Sequence, residues 1–213
     1  LTLILAATPS LGIGKSGGLP WPQLKKEMGY FARVTKRVSG TSSSDGRRKI
    51  NAVIMGRKTW DSIPTKFRPL KDRVNVVITR SPETAQITQD VGAVEGPVVA
   101  SSISEALERS LKSVKGVQVE KVFVIGGASL YNAALELRQA NRVLLTKIRE
   151  DFECDTHFGL DLDGEEGRRA GWRRKSREEL REFTGEEDGK LGGEDGVLEE
   201  GGVKFEFCLY QRD

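Results

Sequence analysis

Histidine occurs once in this chain of 213 residues, at His157, and cysteine twice, at Cys154 and Cys208. A single histidine argues against a Ser-His triad or a multi-histidine metal site, so no metal is expected and His157 reads as a surface or structural residue. The two cysteines stand far apart in no CxxC pattern, and no Asn-x-Ser/Thr acceptor is present. Both absences point to a reducing compartment, with the cytoplasm as the expected location. The longest apolar run, Leu3 to Ala7, is too short for a membrane span. No basic-then-apolar signal peptide is visible, although Leu1 in place of Met leaves room for a removed leader. Disorder, collagen-like repeats and a disulfide scaffold are excluded for most of the chain. Its length suits one large domain or two small ones and buries roughly 70% of the unfolded surface.

Glycine and charge are present in quantity but unevenly. Residues 159–202 hold 11 of the 24 glycines, with 14 acidic and 8 basic side chains for a net charge of −6. The other 169 residues carry 17 acidic and 26 basic side chains, a net of +9 that suits anionic ligands. Residues 159–202 read as a surface insertion, a solvated and self-pairing excursion with a basic stretch, Arg168–Arg177, followed by an acidic one.

Seven β-rich runs stand out, at 1–7, 50–55, 74–79, 98–100, 121–125, 143–148 and 203–210. The first six are nearly continuous apolar stretches, as in strands covered on both faces. The last alternates and predicts a half-exposed antiparallel strand near an edge. Helical patterns at 23–38, 57–62, 103–113 and 128–137 lie between them. The alternation predicts an α/β fold with helices on both faces of the sheet. Residues 39–49 read as a polar Ser/Gly loop.

Gly12 to Gly17 matches G-x-G-x-x-G, but Pro20 and Pro22 forbid the helix that should follow, and no ribose-binding acid lies in Ala32–Val38. A mobile loop closing over a ligand and a plain glycine turn both remain open. On the 23–38 helix, Leu24, Met28, Phe31, Val34 and Val38 form one apolar stripe, and Glu27 falls inside it. A carboxylate placed there is desolvated and suits proton handling, or else it reaches out to water from a boundary position. Three strand ends suit a nucleotide: Gly56-Arg57-Lys58-Thr59, Thr79-Arg80 and Gly126-Gly127-Ala128-Ser129. Two arginines beside a pyrophosphate cradle favour a 2′-phosphate, hence NADPH. Trp21 and Trp60 are expected in the core, and Asp151, Glu153 and Asp155 lack metal-site spacing.

In order and spacing these motifs resemble the dihydrofolate reductases of the longer, eukaryotic type. The matching pieces include Ile4-Leu5-Ala6-Ala7, Leu19-Pro20-Trp21-Pro22, Glu27 with Tyr30-Phe31, Met55-Gly56-Arg57-Lys58-Thr59-Trp60, Arg68-Pro69-Leu70-Lys71 and Ile125-Gly126-Gly127. The resemblance covers 1–158 and resumes at 203–212. It implies a single domain over 1–213: a central, mostly parallel twisted sheet of about eight strands, an antiparallel C-terminal edge strand, and flanking helices. It also implies hydride transfer from NADPH to C6 of dihydrofolate with a proton to N5, supplying one-carbon and thymidylate synthesis. The implied partners are dihydrofolate and antifolate inhibitors, with no membrane and with nucleic acid not required, in a monomer.

By the same resemblance, Glu27, Trp21 and Thr146 form the catalytic group, and whether Glu27 or an ordered water delivers the proton stays open. Ile4, Leu5, Met28, Phe31, Ile63 and Leu70 line the folate pocket with Glu27 and Thr146, while Arg73 pairs with the glutamate-tail carboxylate. Ala6 and Ile13 meet the nicotinamide, and Gly14, Lys15, Gly17 and Gly18 belong to the loop on the cofactor side. Arg57, Lys58, Thr59, Thr79, Arg80 and Ser81 hold the 2′-phosphate side, and Ile125, Gly126, Gly127, Ala128, Ser129, Leu130 and Tyr131 cradle the pyrophosphate. Phe67, Gly18 and residues 159–202 depart from the family pattern. A related pterin or pyrimidine reductase, and a noncatalytic nucleotide- or RNA-binding protein using Arg168–Arg177, are the alternatives.

Overall fold

The structure, a computed structural model, describes residues 1–81, 87 and 94–213. The first half comprises β1 (Thr2–Ala7), β2 (Gly12–Gly14), α1 (Lys25–Lys36), β3 (Arg48–Gly56), α2 (Arg57–Ser62), β4 (Arg73–Ile78) and β5 (Val98–Ala100). Residues 103–113 form one helical stretch in which α3 (Ile103–Glu105) and α4 (Leu111–Ser113) flank a π turn, Ala106–Ser110. Next come β6 (Val117–Val124), α5 (Ala128–Leu135), β7 (Arg142–Ile148) and β8 (Thr156–His157). The chain ends with α6 (Glu165–Arg169), β9 (Arg173–Arg174), α7 (Arg177–Thr184), β10 (Val197–Glu200) and β11 (Val203–Gln211).

These elements fall into two compact units, one of residues 1–34 and 131–213, the other of 35–130. In the second unit β3 pairs in parallel with β6 on one side and β4 on the other, and β4 pairs in parallel with β5. Val53, Ile54, Met55, Val74, Val76 and Val77 have no exposed surface, as their unbroken apolar runs require. In the first unit β1 and β7 run parallel, and β11 lies antiparallel against β7. The class is therefore α/β, mostly parallel with an antiparallel C-terminal strand, as expected.

The alternating strand is not half-exposed. Of its outward set only Lys204 meets solvent, while Glu206, Cys208 and Tyr210 are buried. The covering comes from 159–202. β10 pairs antiparallel with the start of β11, β9 pairs with its end, and α7 carries buried Leu180 and Thr184. That segment is thus only partly the solvated excursion its composition predicts. It does pair with itself, through Arg181–Asp188 at 3.0 Å and Lys175–Glu179 at 2.6 Å. It also buries Leu162, Trp172, Leu180 and Leu191, a hydrophobic content diluted below notice by the surrounding glycines and charges. Its basic stretch bonds to the protein as well, although Arg168, Arg169, Arg173 and Arg174 stay exposed. Arg173 donates to the carbonyls of Arg168 and Trp172, Arg174 to Glu206, and Arg177 to the carbonyls of Asp188, Gly192 and Gly193.

Candidate active site

Strand register brings the first group together. Thr146 of β7 lies opposite Ala6 of β1 on one side and Phe207 of β11 on the other, and it is almost wholly buried. Its hydroxyl donates to Glu27 Oε1 at 3.3 Å from the first turn of α1. Glu27 keeps a little surface, yet the protein packed around it desolvates the charged form and pushes its pKa up to about 7 against the smaller, opposing effect of the Thr146 bond. A carboxyl in that state both holds and releases a proton near neutrality. Ile4 and Leu5 are buried in β1, and the Ile4 carbonyl accepts from the Tyr131 hydroxyl at 2.8 Å. Tyr131, expected in the pyrophosphate cradle, thus spends its hydroxyl on β1 and sets its ring edge-on to Phe158 at 6.0 Å. Trp21 is buried, as expected, against Phe152 with ring centroids 6.3 Å apart.

The helix stripe needs one correction. Leu24, Tyr30, Val34 and Thr35 are buried, whereas Phe31 and Val38 are half-buried, Val38 beyond the end of α1, and Met28 is 45% exposed. Tyr30 takes the inner place because its ring stacks on Phe207 at 3.8 Å. Met28 Sδ instead accepts from Gln23 Nε2 at 3.4 Å.

The glycine-rich stretch is a hairpin. Lys15 and Gly18 exchange both backbone hydrogen bonds, at 3.0 and 2.9 Å, across Ser16 and Gly17, which both have positive φ. This is the turn geometry that suits the right-handed twist of a two-residue hairpin. The tip is tied down by Asp155, whose carboxylate accepts from the Ser16 N–H at 2.6 Å, and by the Lys15–Glu153 ion pair at 2.6 Å. β2 pairs with β8, and a Cβ on Gly12 would lie 2.2 Å from Cys154 Sγ. Glycine is required at position 12 by this close approach. Ile13 and Gly14 lie in β2, half-buried, while Lys15, Gly17 and Gly18 are exposed.

A second group assembles within residues 35–130. Arg57–Thr59, Thr79–Ser81 and Ile125–Ser129 follow the carboxyl ends of β3, β4 and β6, which neighbour one another in the parallel order β6-β3-β4. The Gly56 N–H donates to the Gly126 carbonyl at 2.8 Å, joining two of these ends, and a Cβ on Gly127 would meet Thr59 Oγ1 at 3.5 Å. The Gly126–Gly127 peptide is cis, and Gly126 has φ 125°, a conformation that favours glycine. Arg57, Lys58, Arg80, Ser81 and Ser129 are exposed, Ile125, Thr59 and Ala128 partly so, and Thr79 and Leu130 buried. Cations, hydroxyls and bare backbone at the ends of adjacent parallel strands form a fit place for a polyphosphate.

Arg73 opens β4, buried, with Nε donating to the Lys71 carbonyl at 3.0 Å and Nη1 to Thr35 Oγ1 at 2.9 Å. Burial lowers its pKa to about 10, and among the described residues no carboxylate pairs with it. Asn75 fixes the turn before it. Its side chain accepts from the Leu70 N–H at 2.8 Å and donates to the carbonyls of Leu70, Arg73 and Glu95. Ile63 and Leu70 are half-buried, and Phe67 is 57% exposed.

Sequence reasoning passed over Asn75 and named Cys154, Glu153 and Asp155 without a place at the hairpin. The signal for Asn75 was present: one amide inside an otherwise apolar strand, where a buried polar group must be fully hydrogen-bonded. The alternation of Glu153 and Asp155 was visible too, but spacing alone does not say that it faces a turn. Among the described residues no group of three or more His, Cys, Asp or Glu could hold a metal ion, and no helix is long and apolar enough to cross a membrane.

A family model described as dihydrofolate reductase matches residues 1–184. The dihydrofolate reductase of Pneumocystis carinii is 41% identical over 216 residues, spanning 100% of this chain and 97% of that protein. That of Rattus norvegicus is 36% identical over 217 residues, spanning 100% and 97%. The solved structure of Schistosoma mansoni dihydrofolate reductase aligns with a TM-score of 0.69 at 30% identity, covering 100% of this chain and 97% of that one. The likeness thus runs through 159–202, past residue 158 where the sequence motifs stop.

Proposed function

Because the chain belongs to the dihydrofolate reductase family, we propose that it reduces dihydrofolate to tetrahydrofolate with NADPH. The observation that carries this reading is Glu27, a carboxyl held near neutrality by burial with the Thr146 hydroxyl on its Oε1. A pterin reduced at C6 must gain a proton at N5, and a group poised near pH 7 can fix the pterin tautomer and keep the proton available, directly or through a water. In this reading Trp21, Ile4, Leu5, Met28, Phe31, Ile63 and Leu70 hold the pterin and the aryl group. Arg73 takes the tail carboxylate, an anion that its buried guanidinium is suited to pair.

NADPH, when bound, supplies the hydride. Arg57, Lys58, Thr59, Thr79, Arg80 and Ser81 hold its 2′-phosphate side, and residues 125–131 its pyrophosphate. Ala6, Ile13, Gly14, Lys15, Gly17 and Gly18 lie on the nicotinamide side. The Tyr131 bond orients the Ile4 carbonyl. The protein is proposed to act as one domain and a monomer, in the cytoplasm, binding antifolates at the pterin residues.

Loss of the near-ultraviolet absorbance of NADPH on adding dihydrofolate is the test. Rapid oxidation with NADPH, slow oxidation with NADH, and none with a simple pteridine or a ribityl-pyrimidine are expected. Turnover of the pyrimidine without turnover of dihydrofolate would reject the assignment.

A further inference from the structure

Helix α1 begins without a capping side chain of its own. Pro22, Gln23 and Leu24 precede it, none of them a Ser, Thr, Asp or Asn able to accept a first-turn N–H. The acceptor comes from residues 159–202 instead. The Lys26 N–H donates to Glu200 Oε2 at 2.8 Å, and Lys26 Nζ donates to the Glu199 carbonyl at 3.0 Å. A carboxylate at that position also complements the positive end of the helix. The same segment grips the helix again further along. Arg33 Nε and Nη2 donate to Glu186 Oε2 at 2.9 and 2.6 Å, and Nε lies 3.2 Å from Oε1. The Glu186 carboxylate has no exposed surface, and it follows a firmly ended helix: α7 starts in a Ser176–Glu179 capping box and stops at Gly185 with φ 66°.

The two grips bracket Glu27. Lys26 is its neighbour, and Arg33 lies six positions on, about 120° around the helix. Tyr30, between them, stacks on Phe207, and Phe207 stands opposite Thr146, which donates to Glu27. We propose that Glu186 and Glu200 are positioning residues for the reaction, through which the 159–202 segment holds the rotation and depth of α1 so that Glu27 stays on the Thr146 hydroxyl. This rests on the reading of Glu27 as the proton-handling group. The other titratable groups facing Glu27 are the hydroxyls of Tyr30, from its own helix, and Tyr131, from α5, both neutral. Glu186, Arg33 and Cys208 act on Tyr30.

The test uses the full chain with Glu186→Gln, Glu200→Gln, the pair together, and Arg33→Lys, which keeps the charge but loses the fork. Each is measured for kcat, KM for dihydrofolate, the pH dependence of turnover, NADPH binding and melting temperature. A tilt of α1 that wets Glu27 lowers kcat about threefold in each single variant and about tenfold in the pair. It also moves the midpoint of the pH profile down by about half a unit or more. NADPH affinity stays within about twofold. If Glu186→Gln does not fold, Glu200→Gln and Arg33→Lys carry the same expectation. A lower melting temperature with kcat and the pH midpoint unmoved overturns the proposal and leaves the segment a stabiliser only. Glu27→Gln, run alongside, separates the two readings. A near-parental rate and pH profile for that variant overturns the role of Glu27 itself. A flattened profile for it, with unmoved profiles in the positioning variants, overturns only the inference drawn here.

Discussion

A carboxyl that burial holds at about pH 7 serves turnover and burdens the fold at once. Glu27→Gln keeps the shape and removes the titration. Turnover at neutral pH should fall by roughly 10²–10⁴, as for loss of a positioned acid or base. Stability should move the other way, with a definite dependence on pH. The folded-state pKa is raised above the ordinary 4.5, so the folded chain binds the proton more tightly than the unfolded one. The stability so contributed is complete below about 4.5 and lost as pH rises through 7, at most about 3 kcal/mol. Denaturant unfolding should therefore find the variant and parent closely matched near pH 4.5, and the variant more stable at pH 8. Equal stabilities at both pH values would show that Glu27 is not desolvated. Glu27 was legible because it interrupts an apolar stripe at helical spacing. The inner place of Tyr30 was not, since Met28, Phe31 and Tyr30 all suit a helix flank and only the ring of Phe207 decides between them.

At the scale of elements, the glycine hairpin shows what spacing conceals. The missing side chain of Gly12 makes room for Cys154. Gly12→Ala would press a methyl group to 2.2 Å from Sγ and 2.7 Å from the Cβ of Cys154. Overpacking of that kind costs about 1–3 kcal/mol. Pairing it with Cys154→Ala should recover part of the loss in melting temperature, because Sγ leaves but the Cβ contact stays. Simple additivity of the two changes would place the strain elsewhere. The long parallel strands and α1 were readable because apolar runs and a 3.6-residue period persist over several turns or pairs. β2 and β8 were not, having three and two residues and drawing their pairing from the neighbouring turn. β9 and β10 hid among glycines and charges for a similar reason.

For the whole molecule, the modest net charge of +3 conceals +9 outside residues 159–202 and −6 within them. NADPH and dihydrofolate are both polyanions, and raising ionic strength from about 0.01 to 0.15 M shortens screening from about 30 to 8 Å. NADPH association should slow severalfold over that range in stopped-flow measurements, with little change in dissociation. An association rate that ignored salt would deny the positive field any part in capture. The same segment that lowers the net charge was the least legible part of the fold, because its buried Trp172 and Leu180 are isolated between polar residues, and the ion pairs Arg33–Glu186, Lys147–Asp163 and Arg174–Glu206 join it to residues far away in sequence. Trp172 has a further consequence. It is the one tryptophan in that segment and has no exposed surface, its ring beneath the Arg212 guanidinium at 4.7 Å, while Trp21 and Trp60 sit in the two separate units. The chain thus carries its own optical gauge: with Trp21 and Trp60 replaced by phenylalanine, the colour of the remaining emission reports directly whether the segment is seated.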